Sequence, residues 1–290
     1  MRGLLSLPRK PLRGAVVEPN ATDDNTGWTE IGVCCRLLQL VFSDGGLGLN
    51  QFHAPLCCEL LVAVLLVAKH NGVIKITTST LGLLLGRLQN GHTTSASPHQ
   101  GPSFDFQNWA NDVVNATIDC IRNSHCITQR KSAGIPFILV CLFQTLPKII
   151  AGDSVARLVD ISAHQTFTIT DGTPSALTEK ACVAATNTLN RLCGNVHTVQ
   201  LVVPHFGRCL GLVIRGLGAR HSYNIRQASL SFYGALIGRT VSQKRGRDEH
   251  DVDEAAPSMS IAAYFRLYPT LQQECMEHLQ NDQTQKLADV

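Results

Sequence analysis

The sequence predicts an all-α protein, on three observations. Apolar residues recur at helical spacing in stretch after stretch, as Ile225, Ala228, Phe232, Ala235 and Leu236 do. Strand-like alternation is confined to one short segment, HQTFTIT at 164–170. The apolar stretches have the length of ordinary helices, roughly 8–20 residues, and short turns separate them. A regular succession of helical pairs points to an armadillo/HEAT-like helical-repeat solenoid. No repeat of fixed period stands out, so an irregular helical bundle is the alternative.

Residues 1–29 are rich in Pro, Gly and Asn and are expected to be a flexible N-terminal segment, followed by one helical-repeat domain over 30–290. EIGVCCRLLQLVF (30–42) reads as the first helix and SDGGLGLN as a Gly-rich turn. A helix from about His53 to His70 is apolar on nearly every face, which suits a helix buried all round. Asn71–Gly72 is expected to close it, and a further helix to run from Val73 to Gln89. NGHTTSASPHQGPS (90–103) is polar and reads as a flexible linker.

FDFQNWANDVVNATIDCIRNS is the next helix. FILVCLFQTLPKIIAGDSVARLVDISA follows, with breaks expected at Pro147 and Gly152, and FTITDGTPS reads as a loop. ALTEKACVAATNTLNRLCG is closed by Gly194, and 198–218 reads as one helix. Ser222 is the N-cap of a helix through Arg239. Residues 242–259 form a charged loop, and a last helix covers roughly 260–280.

Composition narrows the class. Of 290 residues, 44% are hydrophobic and 16% charged, which excludes global disorder. A net charge of +3 is too small to argue for nucleic acid from bulk charge, so that case rests on local patches. The 11 Cys show no C-x-x-C and no zinc spacing. They read as reduced, buried thiols, including the adjacent pairs Cys34–Cys35 and Cys57–Cys58, and imply a cytoplasmic protein. The N-terminus is basic, but Pro8 and Pro11 interrupt it and it lacks the apolar core of a signal peptide. APLCCELLVAVLLVA (54–68) falls short of the roughly 20 apolar residues that span a bilayer.

Chemistry-bearing motifs are scarce. GGLGLN follows no strand and lacks the third glycine of a dinucleotide fingerprint. No phosphate-binding loop, zinc-hydrolase helix or nucleophile elbow occurs, and His125–Cys126 has no partner in the sequence. The expectation is a non-enzymatic binding protein without a metal site. Cations cluster at Arg130–Lys131, at Arg208, Arg215, Arg220 and Arg226, and at Arg239, Lys244, Arg245 and Arg247. Their plainest use is a solvated face or a helix C-terminus. QKRGRDEHD also fits a short nuclear-import pattern.

In TQRKSAGIPF (128–137), two cations run into Ser132, Ala133 and Gly134, then Ile135 and Pro136. Inside a helix, Pro136 cannot donate to Ser132, at a cost of about 3 kcal/mol. A helix that starts there avoids the cost and turns its first N–H groups toward Arg130 and Lys131, a corner suited to phosphate. The small residues equally suit close helix packing.

RKSAGIP (130–136) resembles the Arg-Arg-Ser-Ala-Gly-Leu-Pro motif of the thyroid adenoma-associated protein family. AKHNGVIKITTSTLGLL (68–84), NIRQASLSFYGALIGRTVSQKRGRDEH (224–250) and YFRLYPTL (264–271) resemble further blocks of that family, in the same order. Lys131 stands for an Arg, Ile135 for a Leu and Gln227 for an Asn. The Arg-to-Lys change loses a bidentate fork.

The resemblance implies a segment of a long helical-repeat protein. It implies a non-catalytic subunit that binds the catalytic subunit of a tRNA 2′-O-methyltransferase and helps present the tRNA anticodon loop for methylation of a ribose. It places S-adenosylmethionine on that partner and no cofactor on this chain. It marks Arg130, Lys131, Ser132, Ala133, Gly134, Ile135 and Pro136 as the tRNA- or partner-binding motif, with Arg226, Lys244, Arg245 and Arg247 as secondary basic contacts. A general protein-binding scaffold without RNA contact is the alternative.

Overall fold

The computed structural model describes residues 26–43, 53–91, 104–123, 133–170, 176–219 and 222–240, together with Arg266, Gln272, Gln273 and Met276. The charged loop 242–259, the linker beyond Gly91 and most of the expected last helix lie outside the described residues. The described residues are all-α, without a strand, and helices pack on neighbours one to three places along the chain. That is the arrangement of a helical-repeat protein. The elements are α1 (Thr26–Ser43), α2 (His53–Val67), α3 (Asn71–Gly91), α4 (Phe106–Asn123), α5 (Ile135–Phe143), α6 (Lys148–Thr170), α7 (Ala176–Gly194), α8 (Val199–Val202), a 3₁₀ turn (Val203–His205), α9 (Phe206–Leu217) and α10 (Tyr223–Thr240). They fall into two compact units, residues 1–154 and 155–290.

In the first unit α1 and α2 both pack on α3. Cys35 of α1 lies 3.3 Å from the Thr77 hydroxyl, and Thr80 donates to the Cys35 carbonyl at 3.2 Å. α5 is the apolar centre: every residue from Ile135 to Phe143 except Phe137 is buried. It packs on α2, α3 and α4. α4 turns a continuous stripe inward, from Phe106 and Trp109 to Ile118 and Ile121. Asp105 caps it, accepting from the Asn108 backbone N–H at 3.1 Å.

In the second unit α7 and α9 both pack on α10. Ser222 is the N-cap: its Oγ accepts from the Ile225 N–H at 3.1 Å and donates to Glu179 at 2.7 Å. Ile225, Ala228, Phe232 and Leu236 are buried on the expected face, with Ala235 half-buried.

Several boundaries differ from expectation. α1 begins at Thr26, inside the segment expected to be loose. Asn71–Gly72 opens α3 instead of closing α2, which ends at Val67. The His70 carbonyl accepts the Ile74 N–H at 3.0 Å, and the imidazole folds over the first turn. A Cβ on Gly72 would meet that ring at 3.1 Å, so the glycine seats the histidine. α6 passes through Gly152 and includes 164–170, the one strand candidate. Extending an established helix adds a hydrogen bond per residue fixed, and that outweighs the strand preference of Thr and Phe. The expected helix over 198–218 is split at Pro204, which sits in the 3₁₀ turn. α2 is not buried all round either: Leu56, Leu60 and Val67 are exposed among the described residues. The cysteine pairs split, with Cys35 and Cys58 buried, Cys57 half-buried and Cys34 exposed, because neighbours on a helix lie about 100° apart.

The two units also share a module that no fixed period in the sequence announced. Arg87 of α3 donates to the carbonyls of Val41 and Phe42 at the end of α1, 46 and 45 residues upstream. Arg239 of α10 donates to the carbonyls of Cys193 and Gly194 at the end of α7, again 46 and 45 residues upstream. The arginines end matching hexapeptides, GLLLGR (82–87) and GALIGR (234–239). At the same constant offset His53 and Cys57 of α2 correspond to His205 and Cys209 at α9. Helices α1–α2–α3 are thus repeated as α7–α9–α10, each closed by an arginine on the carbonyl end of its first helix.

Candidate partner-binding site

The site is built on the start of α5. Gly134 is its N-cap, Ile135 the first helical residue and Pro136 the second, where a missing N–H leaves no hydrogen bond unmade. The Gly134 carbonyl accepts from Phe137 and Ile138, both at 3.1 Å. The N–H groups after Pro136 are therefore turned back into the helix, and the phosphate corner they were expected to form is not made by them. Ile135 and Pro136 are buried.

Gly134 explains the small residues. A Cβ there would lie 1.8 Å from the Leu65 carbonyl oxygen and 2.6 Å from its carbon. The backbones of the α5 start and the last turn of α2 touch at this point, which only glycine permits. Ala133 is half-buried beside it. Farther along α5, Cys141 Sγ sits 3.6 Å from the Thr78 carbonyl of α3.

This contact brings two separate sequence segments together. Just past Leu65 the chain leaves α2 and turns through Lys69, His70, Asn71 and Gly72 into α3, and Lys69, His70 and Lys75 are exposed. The Gly134 step thus meets the last turn of α2, four residues before the KHNG turn begins.

Arg130, Lys131 and Ser132 lie outside the described residues, as do Lys244, Arg245 and Arg247. Arg226 belongs to the second unit, where its Nη1 donates to the Ala219 carbonyl at 2.7 Å just past α9. Arg208 pairs with Asp160 on an exposed surface.

No group of His, Cys, Asp and Glu among the described residues could hold a metal ion. None of the nine described cysteines is in a disulfide. Burial pushes the Cys141 and Cys209 thiols up to about 12 and Cys193 to about 11, so they stay protonated at neutral pH and make poor nucleophiles. No described helix is long and apolar enough to cross a membrane.

The class that the described residues define is a helical-repeat protein with a tight inter-helix corner at the start of α5. Residues 29–221 match the family described as THADA/TRM732, DUF2428, and the chain belongs to that family. It is similar to the tRNA (32-2′-O)-methyltransferase regulator THADA of Gallus gallus, with 24% identity over 254 residues. That alignment covers 83% of this chain and 12% of the relative, so the chain spans about an eighth of the relative's length. No solved structure matches the chain.

Proposed function

We propose that this chain is a non-catalytic subunit that helps a partner methyltransferase 2′-O-methylate a ribose in the tRNA anticodon loop. The observation that carries the reading is family membership over 29–221, with a relative named as regulator of a tRNA (32-2′-O)-methyltransferase. S-adenosylmethionine would belong to the catalytic subunit, and the assembly would act in the cytoplasm.

In this reading the parts of RKSAGIP have different duties. Gly134, Ile135 and Pro136 fix the position of the segment by packing against α2. Arg130 and Lys131, which precede that anchor in the sequence, are in this reading the groups to meet phosphate or an acidic surface. Arg226, with its bond to Ala219, serves the fold first.

The test is complementation of cells lacking this protein, followed by nucleoside analysis of tRNA. Arg130→Ala with Lys131→Ala should lower 2′-O-methylation, with the melting temperature nearly unchanged, since surface substitutions stay within about 0.5 kcal/mol. Each lost phosphate contact should also flatten the salt dependence of RNA binding by about one unit of slope. Normal methylation in the double variant would reduce RKSAGIP to a packing motif and favour the scaffold reading. Unfolding would make the cations structural.

A further inference from the structure

The repeated module allows one face to be compared in two surroundings. On α1, Val33, Cys34, Leu37, Leu40 and Val41 lie at helical spacing on one side. All are exposed: Val33 52%, Leu37 57%, Leu40 68% and Val41 42%. At the offset that relates Arg87 to Arg239, these positions correspond to Ala185, Thr186, Leu189, Leu192 and Cys193 of α7. There every one is buried, four of them completely.

The element that closes the α7 face is visible. Ser162 of α6 lies 3.0 Å from the Thr186 hydroxyl, with either group able to donate, and its carbonyl accepts from Cys182 Sγ at 3.9 Å. Val155, Leu158 and Val159 precede Ser162 at i, i+3, i+4 and i+7 spacing and are fully buried. α6 therefore meets α7 at Ser162, a small hydroxyl residue opposite Thr186, and carries buried apolar residues on the same side of the helix. α1 has no such cover among the described residues.

We propose that the Val33–Val41 face of α1 is a docking surface for an amphipathic helix from outside this sequence, standing to α1 as α6 stands to α7. Its chemistry follows from that of α6: apolar residues at i, i+3 and i+4, and a serine or similarly small residue at i+7, facing Cys34. Residues 1–25, the part of this sequence that precedes α1, do not suit the role. Pro8 and Pro11 each remove a helical hydrogen bond. The surface is distinct from RKSAGIP and would hold whatever that motif binds.

Cys34 reports on the face, because its alkylation by N-ethylmaleimide can be followed by peptide mapping. In the 290-residue chain Cys34 should react at close to the rate of a free thiol, independent of protein concentration and unchanged when residues 1–25 are deleted. The probe is a chimaera in which residues 148–175, α6 with its own loop, replace residues 1–25. Cys34 should then be alkylated at least tenfold more slowly, and Leu37→Asp in the chimaera should restore the fast rate.

Three results overturn the proposal. Slow alkylation relieved by deleting 1–25 makes the chain's own N-terminus the cover. Slow alkylation that deepens with concentration makes it a second copy. An undiminished rate in a folded chimaera means the face does not accept such a helix. Leu37→Asp with Leu40→Asp in the unmodified chain decides the matter even if the chimaera fails to fold. The melting temperature should stay within about 1 °C, as for other exposed sites, and a large fall would show that the face is already buried.

Discussion

Gly134→Ala adds one carbon at the point where the start of α5 meets α2. The new Cβ would stand 1.8 Å from the Leu65 oxygen. Reaching an ordinary contact distance needs a shift of roughly 1.5 Å or more. The obstacle is main chain, in the last turn of a helix whose Leu61, Val62 and Leu65 are buried, so no rotamer change relieves it. Gly134 has φ −95° and ψ −22°, which alanine adopts without strain, so backbone conformation supplies no penalty. The whole cost is overpacking, about 1–3 kcal/mol, and a backbone obstacle belongs at the upper end. At about 2–4 °C per kcal/mol for a chain of this size class, the melting temperature should fall by about 5–10 °C. The control is Gly152→Ala in α6, where a Cβ meets nothing within 4 Å and a mid-helix glycine gives way to a better helix former. That variant should melt at the same temperature or slightly higher. Thermal melts by circular dichroism check both, and a Gly134→Ala protein that melts within 1 °C of wild type would refute the close approach.

Arg239→Met should cost about 1 kcal/mol, seen as a lower urea midpoint, because the Cys193 and Gly194 carbonyls lose their donor; Arg87→Met, with contacts of 3.3–3.4 Å, should cost less. Stability should fall as pH rises from about 9 toward 12. Unfolded thiols ionise near 9 while burial holds Cys193 near 11 and Cys141 and Cys209 near 12, so the folded state binds more protons throughout that window, and urea midpoints at stepped pH check it. Under native conditions at pH 8, Cys34 should react with a thiol reagent well before Cys58, Cys141, Cys193 and Cys209; equal rates would mean a loosened core.

Much of the fold was legible because helical periodicity in an apolar chain leaves few alternatives. The Ser222 cap, the Gly194 stop and the inward stripe of α10 all stand where spacing and capping chemistry put them. The failures share a cause. Asn71–Gly72 and Gly152 were read from local propensity, which does not say which side of a glycine the helix lies on. Packing on either side decides that, as where α3 carries Val73 and Ile74 into the core straight after Gly72, and packing is visible only in three dimensions.

The candidate site divides along the same line. The identity of RKSAGIP as a marked segment was legible, and so were its two competing uses. The structure gives Gly134, Ile135 and Pro136 to packing and turns the N–H groups of Phe137 and Ile138 onto the Gly134 carbonyl. With those two N–H groups engaged, side-chain cations carry more of any anion recognition at this corner. That shifts the burden onto Arg130 and Lys131, and it makes the Lys at 131 consequential: a lysine meets phosphate as a point charge, where an arginine would grip it with two bonds. If phosphate is the ligand, Lys131→Arg should strengthen tRNA binding without moving the melting temperature. If the segment only packs, the same substitution should change neither. Filter binding across a salt series separates the two outcomes.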